Sequence, residues 1–91
     1  MKIRIHAYVE GNVQGVFFRS NTRNIARNLN LTGFVKNLQD GRVEVVAEGE
    51  EEKINKLIEF LKQGPEFAKV RNVDIKKEKY SGEFEDFEVK Y

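Results

Sequence analysis

Gly33-Phe34-Val35-Lys36-Asn37-Leu38-Gln39-Asp40-Gly41-Arg42-Val43-Glu44-Val45-Val46-Ala47-Glu48 contains two β-prone runs around a short break. Gly33 to Leu38 and Arg42 to Glu48 flank Gln39-Asp40-Gly41, and Asp-Gly between such runs marks a hairpin, because these residues tolerate the backbone of a tight turn. Val43, Val45 and Ala47 share the inward face of the second arm. Upstream the period lengthens. Phe18, Thr22, Ile25, Ala26 and Leu29 follow the stripe of an amphipathic helix, with Asn30 and Gly33 at its exit. Downstream, Ile54, Leu57, Ile58 and Leu61 repeat the pattern in a second helix. Glu50, Glu51 and Glu52 suit its N-terminal dipole, and Gly64-Pro65 ends it. Further out, Ile3, Ile5, Ala7 and Val9 alternate with Lys2, Arg4, His6, Tyr8 and Glu10, predicting a half-buried strand that stops at Gly11-Asn12. Val70, Val73 and Ile75 mark another strand, which Ser81-Gly82 breaks before a terminal strand on Phe87, Val89 and Tyr91. A hairpin with a helical crossover on each side is the split βαβ arrangement, an α+β fold with an antiparallel sheet and two helices on one face.

The chain has 91 residues, enough for one domain over 1–91 and one modest core. It has no Cys and a single His. Thiolate nucleophiles, disulfides and thiolate metal sites are thereby excluded, and a His-rich metal centre is disfavoured. No apolar run approaches the roughly 20 residues of a membrane span, and charge interrupts the N-terminal apolar residues too often for a signal peptide. A cytoplasmic protein is expected, and the density of Lys and Glu without Cys leans toward a thermophile. The net charge of +1 hides an asymmetry. Residues 1–46 carry seven Lys and Arg against three acids, a balance of +4, and residues 47–91 carry nine against twelve, a balance of −3. Positive potential confined to one half suits a small anion better than a nucleic acid, whose binders carry a basic excess across the domain.

Two segments can carry chemistry. Asn12-Val13-Gln14-Gly15-Val16-Phe17-Phe18-Arg19 links the first strand to the first helix. A glycine-containing loop that opens a helix can aim successive N–H groups at one anion, and the helix start adds partial positive charge. Arg19 in the first turn opposes the helix dipole, a conflict that a bound phosphate or carboxylate would remove. The same residues also fit an ordinary strand-to-helix turn with a solvated arginine. Neither a P-loop nor a Rossmann fingerprint is present. In the second segment Asn37, near the hairpin end, could orient a water or a substrate oxygen, or could simply complete the turn.

Taken together, Val13-Gln14-Gly15-Val16-Phe17-Phe18-Arg19, then Gly33-Phe34-Val35-Lys36-Asn37, Asp40-Gly41 and Val43-Glu44, closely resemble the acylphosphatase family. The likeness extends through Gly64-Pro65, Ala68 and Val70 to the ending Phe87-Glu88-Val89-Lys90-Tyr91. It implies a ferredoxin-like sandwich, βαββαβ plus a short terminal strand, and hydrolysis of acyl phosphates to carboxylate and orthophosphate. It further implies that Arg19 binds the phosphoryl group within a cradle over Asn12 to Arg19, and that Asn37 positions the attacking water. Phe34 stands where the family usually has Trp, and Asn30 where Gly commonly ends the first helix. A carboxylate leaves readily, so positioning and charge stabilisation suffice without a metal, a cofactor or a covalent intermediate. The proton of the water then passes to the substrate's own phosphate. Orthophosphate and sulfate are expected as competitive ligands, and the expected state is a monomer with no nucleic-acid or membrane partner.

Other conspicuous residues have plainer readings. His6 is expected on the exposed sheet surface, Arg23 and Arg27 on a solvated helix face, Asp40 in the hairpin turn, and Thr22 packed with its hydroxyl bonded to the preceding turn. Phe17, Phe34, Phe60, Phe67, Phe84 and Phe87 read as core or edge aromatics. An RNA-binding sheet needs an aromatic and basic run on a central strand, and Val43-Glu44-Val45-Val46-Ala47-Glu48 offers an acidic one. A small-anion sensor without turnover is the stronger rival to an enzyme. Phosphate release from benzoyl phosphate separates the two.

Overall fold

Alternation along residues 3–9 builds the centre of the sheet. A computed structural model describes residues 1–91. Ile3, Ile5, Ala7 and Val9 are buried on one face of β1 (Lys2–Asn12), and Arg4, His6 and Tyr8 are half-buried on the other. The strand ends at Asn12 as expected, but Gly11 is part of it rather than of a turn. The strand runs through a β-bulge at Glu10/Gly11 and stays paired to Lys69. Gly11 sits at φ 135, where a Cβ would lie 2.0 Å from the Lys69 carbonyl oxygen. Glycine is needed here for close strand approach, and that need produces the same sequence signal as a turn.

The stripe from Phe18 gives α1 (Phe18–Asn28), with Phe18, Thr22 and Ala26 buried and the Thr22 hydroxyl donating to the Phe18 carbonyl at 2.8 Å. Asn30 ends it in the left-handed region at φ 59. Leu31 N–H then reaches the Ala26 carbonyl at 2.9 Å and Asn30 N–H the Arg27 carbonyl at 3.0 Å, the paired bonds of a Schellman cap, with Leu31 buried behind it. Asparagine therefore does here what glycine commonly does. Gly33 takes no part in that exit; it lies in β2 (Thr32–Asn37). The hairpin to β3 (Val43–Glu50) closes with Leu38 N–H on the Arg42 carbonyl at 2.8 Å, and Asp40 accepts from the backbone and side chain of Arg42. α2 (Glu51–Gln63) buries Ile54, Leu57 and Leu61, and Phe60 packs on Phe18 of α1 with ring centres 5.9 Å apart.

β4 (Lys69–Glu78) and β5 (Phe87–Lys90) complete a sheet of order β4-β1-β3-β2-β5. The first four strands pair antiparallel, as the split βαβ pattern requires. β5 lies parallel to β2, from Gly33 opposite Phe87 to Lys36 opposite Lys90, so the whole sheet is mixed. Both helices share one core with the inward strand residues. This is the ferredoxin-like α+β architecture.

Because β4 and β5 lie at opposite edges, residues 79–86 must cross the helix-free face. Buried Glu48 anchors them. It accepts hydrogen bonds from Ser81 N–H (2.8 Å), Ser81 Oγ (2.7 Å) and Gly82 N–H (3.1 Å), with Arg4 Nη1 at 3.5 Å. A carboxylate without such partners would be costly to bury. Phe84 meets Phe34 edge-on at 6.0 Å, and Arg4 pairs with Glu83. His6 lies on this sheet face as expected but is half-buried rather than exposed. Its Nε2 lies 2.6 Å from Glu44 Oε2, and its ring stacks on Tyr8.

The Arg4 hydrogen bond, followed by that from Ser81, holds the Glu83 carboxyl below its ordinary pKa, and the Arg42 N–H does the same for Asp40. Both carboxyls are depressed in the native state. Their contribution is therefore complete above the unfolded carboxylate range and is lost as pH falls through the lower native values. Thermal melts from neutral to acid pH should show Tm falling on that side. Glu83→Gln should lower Tm at neutral pH and flatten the acid limb slightly, as expected for exposed pairs. An acid limb identical to wild type would remove the Arg4–Glu83 contact from the acid response.

Candidate active site

The turn between β1 and α1 is built to present donors. Val13 is buried and fixes its start. Gln14 Nε2 donates to the carbonyls of Leu38 (2.8 Å) and Arg42 (2.9 Å), tying the loop to the β2–β3 hairpin. Gly15 has φ 74 with open space around it, so the backbone conformation alone calls for glycine. Phe17 is left-handed at φ 62, unusual for an aromatic residue, and caps α1 without a side-chain bond. Such a conformation costs about 1–3 kcal/mol and persists only where its surroundings enforce it. The helix's first backbone bond runs from Asn21 N–H to the Phe17 carbonyl at 3.1 Å. The N–H groups of Phe18, Arg19 and Ser20 therefore have no acceptor within the helix, and no acid lies in its first turn.

Arg19 stands beside these donors. Its guanidinium lies 4.8 Å from the Tyr91 ring centre, and Nη1 donates to the Lys90 carbonyl at 3.5 Å. No carboxylate pairs with it, whereas Arg4 has three carboxylate partners and Arg27 and Arg42 have one each. Across the cleft, Asn37 ends β2 opposite Val43. Its Oδ1 is buried and receives no hydrogen bond from the protein. The cleft between them has a volume of about 320 Å³ and is lined by Val13, Gly15, Phe17, Phe18, Arg19, Ser20, Arg23, Asn37, Val89 and Tyr91, none of them acidic. Oriented N–H groups, an unpaired guanidinium and a lone amide oxygen can bind a phosphoryl group and hold a water beside it.

Comparison with known proteins agrees with that chemistry. The family model described as Acylphosphatase matches residues 5–89. The chain belongs to the acylphosphatase family. It is 48% identical to the acylphosphatase of Syntrophus aciditrophicus, over 100% of this chain and 95% of that one. The solved structure of an acylphosphatase from Coxiella burnetii superposes with TM-score 0.92 at 46% identity, covering 98% of this chain and 93% of the other. The Bacillus subtilis acylphosphatase gives 0.94 at 35% identity, with 98% and 99% covered. Family membership makes the protein a hydrolase of acid anhydrides acting on acyl phosphates.

Within this acylphosphatase the structure brings Val13, Gly15, Phe17, Phe18, Arg19 and Asn37 into one cleft. Asn12, Gln14 and Val16 do not line it. Asn12 is exposed at the end of β1 opposite Lys69, Gln14 turns its amide to the hairpin, and Val16 packs against the core. Sequence reading missed Ser20, Arg23, Val89 and Tyr91 as lining residues. The helical period places Arg23 beside Arg19, a signal available in the sequence, whereas Ser20 reaches the cleft as the next residue of the same first turn. Val89 and Tyr91 arrive only through the parallel pairing of β5 with β2. Arg27 is not merely solvated: its Nε donates to the Phe87 carbonyl at 2.9 Å and Nη2 pairs with Asp86, holding β5 in place. Phe17, read as core or edge, is a highly exposed rim of the cleft.

Proposed function

We propose that this acylphosphatase works with Arg19 and the helix-start N–H groups as phosphate ligands and Asn37 as the residue that orients water. The buried, unpartnered Oδ1 of Asn37 carries this reading: it can accept a hydrogen bond from a water and turn that water's lone pair toward phosphorus. The water oxygen attacks phosphorus, and the P–O bond to the acyl oxygen breaks with its electron pair leaving on the carboxylate. One water proton passes to a phosphoryl oxygen, so an acyl phosphate dianion and water become a carboxylate and a dihydrogen phosphate. No Asp, Glu, His or Cys lines the cleft to act as base, nucleophile or metal ligand, which supports a metal-independent, substrate-assisted route. Charge developing on the phosphoryl oxygens meets donors already in place. A cytoplasmic setting and a thermophilic source belong to the same reading and are argued from composition, and a monomeric state belongs to it as well.

The test is phosphate release from benzoyl phosphate before and after exhaustive chelation, with orthophosphate as added ligand. Turnover should survive chelation. Orthophosphate should raise the apparent KM and Tm together, because it binds only the folded cradle. Loss of turnover on chelation, restored by one divalent ion, would defeat the metal-independent route. Kinetics indifferent to high phosphate would remove the cradle.

A further inference from the structure

Arg23 lies one helical turn beyond Arg19 and lines the same cleft, half-buried rather than free on the helix surface. Its Nε donates to Asn24 Oδ1 at 3.3 Å, and no carboxylate lies within ion-pairing distance. Arg4, Arg27 and Arg42, by contrast, are each paired. Residues four apart on a helix have Cβ atoms about 5–6 Å apart, so the two guanidiniums can serve successive positions along one ligand. Arg19 and the helix-start N–H groups already provide the donors for one phosphoryl group. A second guanidinium in a cleft with no Asp or Glu in its lining adds positive potential there. Exposed Phe17 and Tyr91, also in the lining, supply apolar surface for the body of an acyl group.

We infer that Arg23 is a specificity-determining residue selecting acyl phosphates whose acyl portion carries a second negative charge. The inference rests on the assignment of the cleft to acyl phosphate hydrolysis. With the phosphoryl group on Arg19, the acyl body extends along α1 past Ser20 and places its anionic end at Arg23. Selectivity for such substrates is then electrostatic and falls with ionic strength.

The experiment compares kcat/KM for 3-carboxybenzoyl phosphate and benzoyl phosphate in wild type, Arg23→Gln, Arg23→Lys and Arg23→Glu. The rigid ring prevents the distal carboxylate from cyclising onto the anhydride. Taking each variant against wild type cancels the carboxyl group's own effect on reactivity. Arg23→Gln should lower the ratio of the charged to the uncharged substrate about fivefold at low salt, as expected for a partly solvated charge pair. Arg23→Lys should keep most of the ratio, Arg23→Glu should lower it further than Gln, and added salt should shrink it in wild type. Partial misfolding would depress both substrates equally and leave the ratio unmoved. Hydrolysis of both substrates with the same ratio in wild type and Arg23→Gln overturns this inference alone. Hydrolysis of neither by wild type overturns the acyl phosphate reading of the cleft, and this inference with it.

Discussion

Arg19→Ala is expected to reduce kcat/KM for benzoyl phosphate by about 10³-fold or more, the scale on which a positioned arginine stabilises phosphoryl transfer. In the proposed mechanism Arg19 holds charge in the bound substrate and in the transition state alike, so KM and the inhibition constant for phosphate should rise while kcat falls. Stability should change little. A cation in the first turn of α1 opposes the helix dipole and alanine favours helix, while the substitution also removes the contacts of Arg19 with the Tyr91 ring and the Lys90 carbonyl. Without added anions the variant should therefore melt close to wild type. Rate measurements, phosphate titration and a thermal melt on the same preparation read all three effects. A variant with near wild-type kcat/KM and phosphate affinity would show that the helix-start N–H groups bind the phosphoryl group without Arg19.

Asn37→Ala is expected to lower kcat by about 10²–10³-fold, the loss typical of one preorganised polar group at a reacting centre. In the proposed mechanism Asn37 acts on the water and leaves the cradle untouched. Phosphate affinity and the Tm increase produced by phosphate should accordingly match wild type. Removing the amide also removes a buried acceptor that no protein group satisfies, so the variant should lose little stability. The contrast with Arg19→Ala is the diagnostic feature: one substitution lowers both binding and turnover, the other turnover alone. A folded Asn37→Ala enzyme with wild-type kcat would return Asn37 to the hairpin and leave the water to another donor or acceptor.

Features encoded over a few neighbouring residues were legible before any coordinates. The stripes from Phe18 and Ile54 predicted α1 and α2, Asp40-Gly41 predicted the hairpin, and the two signatures pointed to Arg19 and Asn37. Asn30 was readable as a cap because tolerance of positive φ belongs to the residue itself. Gly11 shows the limit of such signals. A bulge, a turn and a close strand contact all call for glycine, and only the Lys69 carbonyl, 58 residues away in sequence, makes it a bulge.

Long-range pairing settled the rest. Alternation on Phe87 and Val89 predicts a strand but names no neighbour. β5 joins β2 because β4 already fills the far edge, and that parallel register carries Val89 and Tyr91 to Arg19. Glu48, an acid in an otherwise apolar stretch, looks like a surface position until Ser81 and Gly82 cross the sheet and donate to it. Periodicity puts Arg23 on the same side of α1 as Arg19, yet whether that side meets water or a cleft depends on a strand from the other end of the chain. Local conformational preference acts within about one turn of the backbone, whereas a site is the meeting of surfaces that the sheet order brings together. Membership of the acylphosphatase family was therefore readable from residues 13–19 and 33–37, and the shape and charge of the cleft came from tertiary pairing.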